Sequence, residues 1–275
     1  LLSTFRRPRR LCIRDRSIII VSYNVSRYLR QCLQSVLNTN EFGAFEIIVI
    51  DNYSHDDSCQ MVKNEFPQIK LIRNKENLGF SRAVNIGLEK SKGEFICLLN
   101  PDTLVSDNTF NKLLDYITLN PNIGCIGPKI LNPDGTLQLA CKRSFPDPFS
   151  AFFKLIGLSR LFPKSIRFGK YNLTFLDENK IHDVDAISGS FMLFPKLIVD
   201  KIGAFDESFF MFGEDLDFCH RIKQIGYNII YNPITSIIHY KGESAKTAPY
   251  DMIQLFYIAF HKYYKKYSDQ YPSWK

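Results

Sequence analysis

An acidic residue follows an apolar run in the first half of the chain. The run 94–99 is typical of a buried β-strand, and the turn after it reads Asn100-Pro101-Asp102. In open α/β sheets, ligands bind at the edge where such strands end. A carboxylate placed there suits a hard divalent cation, Mg²⁺ or Mn²⁺, or a substrate that carries phosphate. Asp102 is therefore a candidate ligand, with an ordinary surface turn as the alternative.

A second carboxylate, Asp51, ends the apolar run 47–50. Ser54 and Asp57 form a capping-box pattern, so the next helix does not need Asp51 as its cap. A carboxylate at this edge can accept the ring N–H of a uracil or thymine base. The neighbouring wall would come from the residues that end the preceding strand: Ser22, Tyr23 and Asn24.

The segment 77–85 turns from a strand into a helix at Gly79. Glycine permits a tight backbone there, and a helix N-terminus that faces outward suits a diphosphate group. By itself this turn is more typical of structure than of a binding site.

The densest acidic cluster begins a predicted helix over 214–225. Acidic residues are favourable at a helix N-terminus, which accounts for Glu214 and Asp217. Asp215 instead shares the apolar face of the helix, so we consider it a candidate general base in a partly dry cleft. Asp217 and Arg221 are four residues apart and predict an ion pair on another face.

His239 ends the last predicted strand. A single histidine at such a place is more often a packing residue than a ligand. If a metal ion binds at Asp102, however, an imidazole that returns to the same sheet edge would complete its coordination.

The composition predicts a globular protein, since 45% of the 275 residues are hydrophobic and 23% are charged. The formal net charge of +7 comes from two tails. Residues 1–16 contain six arginines and one aspartate, and residues 260–275 contain four lysines and one aspartate. Basic tails fit an anionic membrane surface at least as well as nucleic acid, and no basic groove with interleaved aromatic residues favours nucleic acid.

The number and spacing of the cysteines, together with the hydropathy of the chain, indicate in which cellular compartment the protein works. The seven cysteines are odd in number and form no C-x-x-C pair, which argues against a disulfide framework and a zinc site. No apolar run approaches the roughly 20 residues that span a bilayer, and the basic opening segment lacks the apolar core of a secretory signal. We expect a cytoplasmic protein that is soluble or peripheral at the inner face of the cell membrane.

Strands and helices alternate strictly in the first half of the chain. This alternation predicts βαβ units, and the continuous apolar strands predict a parallel sheet with helices on both faces. The predicted strands are 17–22, 45–51, 69–73 and 94–100, and the predicted helices are 26–37, 56–66, 81–91 and 107–119.

The pattern becomes irregular from about residue 123. Prolines and glycines mark loops, with a hairpin around 132–135 and a mobile, aromatic and basic insertion over 149–168. The later predicted elements are strands 183–194, 227–231 and 236–240 and helices 214–225 and 250–267.

Together these motifs resemble the family 2 glycosyltransferases of the GT-A fold, most closely their rhamnosyltransferase-like branch. The resemblance runs from about Ser17 to Ser244, and its specificity comes from the order and spacing of the motifs. The motifs that carry it are Val21-Ser22-Tyr23-Asn24, Val49-Ile50-Asp51-Asn52-Tyr53-Ser54, the segment 77–85, Asn100-Pro101-Asp102, Gly213-Glu214-Asp215-Leu216-Asp217 with Arg221, and His239 with Gly242.

The resemblance implies a fold and a division of the chain. In a GT-A fold, a Rossmann-like, mostly parallel central sheet is flanked by helices and precedes an irregular acceptor-side half and a C-terminal helix. The parts would be a basic tail (1–16), a nucleotide-sugar-binding half (17–122), an acceptor-binding and catalytic half (123–245) and an amphipathic C-terminal helix (246–275). For that helix, a membrane interface and core packing are both open.

The resemblance also implies an activity. A sugar, with rhamnose as the suggested one, would move from a dTDP- or UDP-linked donor to a hydroxyl of a glycan or lipid-linked acceptor. The anomeric carbon would be inverted, and the product would belong to a cell-surface polysaccharide.

By position, the resemblance assigns roles to particular residues. Asp51 would contact the base, Asp102 and His239 would hold Mg²⁺ or Mn²⁺, and Asp215 would be the catalytic base with Glu214 as the alternative. The acceptor would contact Gly189, Ser190 and Arg221. The donor would contact Ser22, Tyr23, Asn24, Asp51, Asn52, Ser54, Asn77, Gly79, Phe80, Asn85 and Asn100.

One departure from the family pattern keeps other hypotheses open. The usual D-x-D is here Asn100-Pro101-Asp102, a variant that also occurs in the rhamnosyltransferase-like branch, and it leaves metal dependence open. The missing carboxylate supports a second hypothesis, a catalytically inactive partner subunit that binds sugar nucleotides. A third hypothesis, a nucleic-acid-binding protein, predicts affinity that falls steeply with salt; we expect no nucleic acid partner.

Overall fold

A computed structural model of the chain describes residues 16–39, 45–147, 149–150, 153, 156–243, 252–267 and 269. The predicted basic tail, apart from Arg16, lies outside the described residues, as does the start of the predicted final helix at 250 and 251. Part of the predicted insertion over 149–168 also lies outside them.

The first half alternates strands and helices, as the sequence predicts. Its strands are β1 (Arg16–Ser22), β2 (Phe45–Asp51), β3 (Lys70–Arg73) and β4 (Phe95–Leu99). Its helices are α1 (Ser26–Leu37), α2 (Ser58–Glu65) and α3 (Phe80–Lys90). β-Branched residues dominate β1 and β2, which favours strands. Buried residues recur at helical spacing along α1, which gives that helix one apolar face.

The predicted capping box of Ser54 and Asp57 is wrong. Helix α2 begins at Ser58, whose backbone N–H donates to the Asp56 carboxylate over 3.0 Å. The Ser54 hydroxyl oxygen instead accepts a hydrogen bond from the backbone N–H of Asn24 over 3.0 Å. Ser54 therefore joins two loops at the sheet edge and caps no helix.

From β5 onward, the elements vary more in length and do not alternate strictly. They are β5 (Thr103–Val105), α4 (Thr109–Leu119), β6 (Ile123–Leu131), a 3₁₀ turn (Leu139–Cys141), β7 (Lys142–Arg143), α5 (Leu158–Leu161), β8 (His182–Val184), β9 (Ala186–Ile187), β10 (Phe191–Pro195), α6 (Lys196–Ile202), α7 (Glu214–Gln224), β11 (Asn228–His239) and α8 (Met252–Lys266). The predicted hairpin is present, since Leu131 and Leu137 pair across the turn that contains Gly135.

Two strand predictions in this later part of the chain are wrong. The single strand expected over 183–194 is three strands, because the chain turns at Ser188 and its pieces pair with different partners. The two strands expected over 227–231 and 236–240 are one strand, β11, whose register shifts between Asn232 and Ser236. The proline of the strand, Pro233, lies within this irregularity, where its lack of an N–H donor breaks no ladder hydrogen bond.

Nine strands form the central sheet, in the order β3-β2-β1-β4-β10-β6-β11-β5, with β8 paired to β11 off this path. Strands β1 to β4, β6 and β11 run in one direction, and β10, β5 and β8 run antiparallel to them. Strands β7 and β9 form a separate two-stranded sheet. The predicted sheet, mostly parallel and flanked by helices, is confirmed.

The strand register gathers the candidate residues at one edge. Ser22 lies beside Asp51, and Ile19 lies beside Leu98. The ends of β1, β2 and β4 therefore meet where the chain order reverses around β1, which is where open α/β sheets bind ligands.

The core consists of apolar residues on both faces of this sheet. The run from Ile47 to Ile50 is buried throughout, as expected for a strand covered by helices on both faces. Among the helices of the described ranges, none combines the length and apolar character that crossing a membrane requires.

Helix α3 packs against β1 through Gly87. A Cβ atom added there would lie 2.5 Å from Cγ2 of Ile19, which is well inside normal contact distance. The glycine therefore permits the close approach of the helix whose N-terminus reaches the sheet edge.

We predict that Gly87→Ala destabilises the protein. Alanine gains roughly 1 kcal/mol of helix propensity, but the clash with Ile19 costs about 1–3 kcal/mol in a packed core. The free energy of unfolding should fall by about 1 kcal/mol, as measured by urea denaturation. Glu89→Ala, at an exposed position of the same helix, is the control and should change it by less than about 0.5 kcal/mol. A Gly87→Ala variant more stable than the wild type would contradict the tight packing.

Candidate active site

A cavity of about 520 Å³ opens at the edge where β1, β2 and β4 end. Its walls also include the start of α3, the turn before β10, the start of α7 and the end of β11. The predicted site residues that line it are Tyr23, Asn52, Asn77, Gly79, Phe80, Asn100, Asp102, Gly189, Ser190, Glu214, Asp215 and His239.

Other predicted site residues lie outside the cavity lining: Ser22, Asn24, Asp51, Ser54, Asn85 and Arg221. Asn85 joins α3 to a loop, since its amide donates to the Phe205 carbonyl over 2.9 Å. Arg221 forms the predicted ion pair with Asp217 over 2.8 Å and also donates to the Ile202 carbonyl. Both side chains therefore hold elements together near the cavity.

Asp51 is buried at the end of β2. Its Oδ2 accepts a hydrogen bond from the backbone N–H of Ser54 over 3.1 Å and lies 3.8 Å from Nε of Arg73. Its Oδ1 has no hydrogen-bond partner in the part of the chain that the structure describes. A buried acceptor without a partner is costly, but Asp51 lies outside the cavity lining, and burial together with the Asp51 carboxylate raises the pKa of the Cys59 thiol.

Asn52 connects the end of β2 to the start of α3. Its Nδ2 donates to Oδ1 of Asn77 over 2.8 Å and to the Gly79 carbonyl over 3.2 Å. Its Oδ1 accepts the backbone N–H of Leu78 over 3.0 Å. The amide thus fixes the turn that leads into α3.

Gly79 has a backbone conformation that favours glycine, with φ at +78°. A Cβ atom there would lie 2.6 Å from the carbonyl oxygen of Phe210, which accepts the backbone N–H of Phe80 over 2.6 Å. The N-terminal end of α3, with its partial positive charge, consequently borders the cavity. The structure thus gives this turn a packing role in addition to its place in the cavity wall.

Asp102 and His239 meet because β11 pairs antiparallel with β5. His239 lies opposite Thr103 in this pairing, and Nε2 of its ring lies 3.2 Å from Oδ1 of Asp102. The Asn100 amide nitrogen lies 3.3 Å from the same Nε2. Both Asp102 and His239 are buried.

The hydrogen bonds of His239 define which ring nitrogen carries the proton. Nδ1 lies 2.7 Å from Oε1 of Gln138. The oxygen and nitrogen of this amide are distinguished by a second contact, because Nε2 of Gln138 donates to Oδ1 of Asn132. An amide oxygen can only accept, so Nδ1 bears the hydrogen. In a neutral ring, Nε2 is then a hydrogen-bond acceptor within reach of the Asn100 amide N–H, and it faces the Asp102 carboxylate.

This pair fits a divalent cation. Oδ1 of Asp102 is buried and accepts no hydrogen bond from any described residue, and it faces a second electron-rich atom. Imidazole nitrogen and carboxylate oxygen both coordinate Mn²⁺-type ions. The described residues contain no group of three or more His, Cys, Asp or Glu side chains that could hold a metal. Oxygen atoms from a substrate or from water would therefore have to complete the coordination.

Asp215 lies in the cavity wall and is held by three donors. Its Oδ2 accepts from the guanidinium of Arg143 over 2.6 Å and from the backbone N–H of Gly189 over 2.9 Å. Its Oδ1 accepts the backbone N–H of Leu216 over 2.8 Å. Donors of this kind fix the carboxylate in one orientation.

Arg143 is a buried cation that no sequence pattern singled out. It lies on the two-residue strand β7 and also donates to the Ile187 carbonyl over 2.7 Å. Burial alone would lower the pKa of Arg143, but the Asp215 carboxylate outweighs that effect and the pKa is raised. Arg143 therefore remains charged beside Asp215. Gln138 was missed for the same reason, because both residues lie in an irregular region without a periodic pattern.

Glu214 differs from its neighbour. Its side chain is buried, and its Oε2 has no hydrogen-bond partner among the residues that the structure describes. Burial, together with the negative charge of Asp215, raises the pKa of Glu214 to about 8. At neutral pH Glu214 is therefore mainly protonated and can donate a hydrogen bond into the cavity.

Comparison with known proteins places the chain in a family. Residues 17–192 match the sequence model of the family described as "Glycosyl transferase family 2". This match spans more than half of the chain, and the chain therefore belongs to glycosyl transferase family 2. The predicted family is confirmed.

Two curated relatives cover most of the chain. An N-acetylglucosaminyl-diphospho-decaprenol L-rhamnosyltransferase of Mycobacterium tuberculosis is 26% identical over 243 residues, which are 84% of this chain and 78% of the relative. The low-salt glycan biosynthesis hexosyltransferase Agl10 of Haloferax volcanii is 29% identical over 229 residues, which are 82% of this chain and 67% of the relative.

Solved structures share the fold. GalNAc-T7, crystallised with UDP, GalNAc and Mn²⁺, superposes with a TM-score of 0.61 at 19% identity over 82% of this chain. The chain spans only 42% of that protein. S. aureus TarS 1–349 superposes with a TM-score of 0.57 at 16% identity, over 91% of this chain and 72% of TarS 1–349. The fold is the predicted GT-A fold.

We predict that Glu214 makes stability depend on pH. Its pKa rises from 4.5 in the unfolded chain to about 8 in the folded protein, so the folded state binds more protons between these values. The free energy of unfolding should therefore decrease as the pH rises through this window, by a few kcal/mol in total.

The measurement compares wild type with Glu214→Gln by urea denaturation at a series of pH values. The difference between the two proteins isolates Glu214, because the glutamine does not titrate. Wild type should lose stability relative to Glu214→Gln from pH 4.5 upward and level off above pH 8. A difference that does not change with pH would contradict the raised pKa.

Proposed function

We propose that the protein is an inverting glycosyltransferase. It moves a sugar from a dTDP- or UDP-linked donor to a hydroxyl of a glycan or lipid-linked acceptor in cell-surface polysaccharide synthesis. One observation carries the proposal: the oriented carboxylate of Asp215 and the Asp102–His239 pair line the same cavity. The name of the M. tuberculosis relative suggests rhamnose as the sugar and a diphosphate-linked lipid as the acceptor carrier.

The donor would lie along the sheet edge. Asp51 would accept the ring N–H of the base through Oδ1, and the turn at Gly79 would present the N-terminal end of α3 to the diphosphate. Asp102 and His239 would hold a divalent ion, which supplies positive charge to the departing diphosphate when it is bound. Asn100 lies beside this pair and would contact the same region of the donor.

Asp215 would act on the acceptor. The acceptor oxygen attacks the anomeric carbon, its proton passes to the Asp215 carboxylate, and the bond to the diphosphate breaks. Attack from the face opposite the diphosphate inverts the carbon in one displacement. Arg143 and the Gly189 N–H would keep the carboxylate aimed at the acceptor, so that it needs no reorganisation during the reaction.

Glu214 would have a different role from its neighbour. Because its raised pKa keeps it mainly protonated near neutral pH, it would donate a hydrogen bond to a sugar hydroxyl. The fixed orientation of its carboxylate favours Asp215 as the base, with Glu214 as the alternative. We also propose that the enzyme works in the cytoplasm, peripherally at the inner face of the membrane.

We predict that Asp215→Asn separates catalysis from binding. A panel of dTDP- and UDP-sugars with Mn²⁺ should contain a donor from which wild type releases the nucleotide. Asp215→Asn should bind that donor with similar affinity but turn it over about 10²- to 10⁴-fold more slowly. Nucleotide release and calorimetric titration measure the two effects.

Asp200→Asn, at an exposed position of α6, is the matched control and should leave both values unchanged. Thermal unfolding of each variant verifies folding. Turnover by Asp215→Asn at the wild-type rate would rule out this base. A wild type that binds a donor without any turnover would support the inactive partner subunit, for which Asn100 in place of an acidic residue is the only support.

We predict that the Asp102–His239 pair accounts for any metal-dependent nucleotide binding. Calorimetry with UDP and dTDP, with and without Mn²⁺, measures how much Mn²⁺ raises the affinity. Asp102→Ala and His239→Ala should abolish that increase. Gln138→Ala, which removes the partner of Nδ1, should weaken it about 10- to 100-fold. The same Mn²⁺ effect in wild type and Asp102→Ala would contradict the assignment.

A further inference from the structure

An exposed segment on the acceptor side of the molecule carries large apolar side chains. Within residues 156–170, which we name the basic apolar segment, Leu161 and Ile166 are each 71% exposed, and Ile156 and Phe162 are about half exposed. Exposed apolar side chains clustered in so short a stretch mark an interaction surface.

Cations alternate with these apolar residues. The exposed basic residues of the segment are Arg160, Lys164, Arg167 and Lys170, and the segment contains no acidic residue. Lys170 pairs with Asp147 over 3.1 Å. The other three have no carboxylate partner among the residues that the structure describes. Three such cations interleaved with apolar side chains complement a surface that is both apolar and anionic.

The backbone of the segment is built so that these side chains point outward. Helix α5 ends in a hydrogen bond from the N–H of Phe162 to the carbonyl of Leu158, and two further turns close at Ser165 and Gly169. On the inner side, the Phe168 ring packs against the ring of Phe162 at a centroid distance of 5.6 Å. The segment is therefore a folded surface with an anchored base.

A second cavity, of about 710 Å³, lies beneath the segment. Its lining includes Arg160, Pro163 and Phe168 from the segment, and it shares Tyr171 and Asn172 with the cavity of the candidate active site. The segment thus lies next to the side from which an acceptor would enter. An acceptor that is anchored in a bilayer would approach from this surface.

Helix α8 offers a competing surface with fewer cations that lack an ion pair. Ile253 and Tyr257 are exposed there. Lys262, however, donates to the Ser208 carbonyl, and Lys266 pairs with Asp206 and Asp217 over 2.6 Å each. Among the described residues, Lys265 is thus the α8 lysine with neither an ion pair nor a backbone carbonyl partner, whereas Arg160, Lys164 and Arg167 of the basic apolar segment all lack both.

We propose that the basic apolar segment docks on an anionic lipid bilayer. Leu161 and Ile166 insert between the lipids, and Lys164 and Arg167 contact the headgroups. The proposal rests on the proposed function, which places the protein at the membrane, and adds the surface that contacts the lipids; binding to lipid can be measured without any catalytic activity.

Co-sedimentation of the full chain with vesicles tests the proposal. Wild type should bind vesicles of phosphatidylglycerol and phosphatidylethanolamine and should bind phosphatidylcholine vesicles much more weakly. Lys164→Gln combined with Arg167→Gln should weaken binding to the anionic vesicles by about fivefold for each charge removed. Leu161→Ser combined with Ile166→Ser should weaken it at least as much.

Two controls make the result specific. Leu119→Ser changes an apolar residue that is 80% exposed on α4 and should leave binding unchanged. Ile253→Ser combined with Tyr257→Ser tests α8 and should have little effect. Thermal unfolding and affinity for UDP or dTDP show whether each variant is folded.

A direct contact measurement complements the binding data. The chain has a single tryptophan, so the added fluorescence of Ile166→Trp is readily distinguished. Brominated phosphatidylglycerol should quench Ile166→Trp and should leave Leu119→Trp unquenched.

If wild type and both segment variants bind vesicles equally, the proposal is overturned, because another part of the chain must then be responsible for the binding. Loss of binding only in the α8 variant, or the absence of binding by wild type, would overturn it as well. None of these outcomes bears on donor turnover, so a failure here and a failure of the proposed glycosyltransferase activity are distinguishable.

Discussion

Strand β10 is the constraint on which the site depends. It runs antiparallel between β4 and β6, which both point the other way. Its position fixes the turn at residues 188–190 over the sheet edge, where the carbonyl of Ser190 accepts the N–H of Asn100 over 3.0 Å. The neighbouring Gly189 N–H binds Asp215. One inserted strand therefore links the end of β4 to the start of α7, and the two halves of the chain share one cavity.

The cavity separates its charges into two regions with different chemistry. Near the sheet edge, Asp102 and His239 face each other with electron-rich atoms and fit a cation. Across the cavity, Asp215 already has a cation, Arg143, and Glu214 is kept mainly protonated by burial and by the charge of Asp215. A departing diphosphate needs positive charge, and an attacking hydroxyl needs a base. Under the proposed function, a cation held by Asp102 and His239 would meet the first need and Asp215 would meet the second, each at its own place in the cavity wall.

The first half of the fold could be predicted because each element shows its own local pattern. Helix α1 and strand β2 have the predicted bounds, β1 differs from them by one residue at one end, and β4 and α3 differ by one residue at both ends. The second half could not be predicted as well. The run 183–194 is apolar enough for one strand, but the turn at Ser188 and the pairing of β9 with β7 depend on residues more than forty positions away. The irregularity in β11 likewise depends on its partner β6.

By itself, the sequence determined the parallel half, the sheet edge and about half of the residues that line the cavity. Apolar periodicity, β-branched runs and a glycine turn act over a few residues, so they are visible in the chain. Only the tertiary structure decided that Arg143 would hold Asp215, that Gln138 would orient His239 and that Glu214 would be buried beside a like charge. These features are electrostatic. They arise from burial and from contacts between residues far apart in the chain, and a local stretch of sequence shows neither burial nor such contacts.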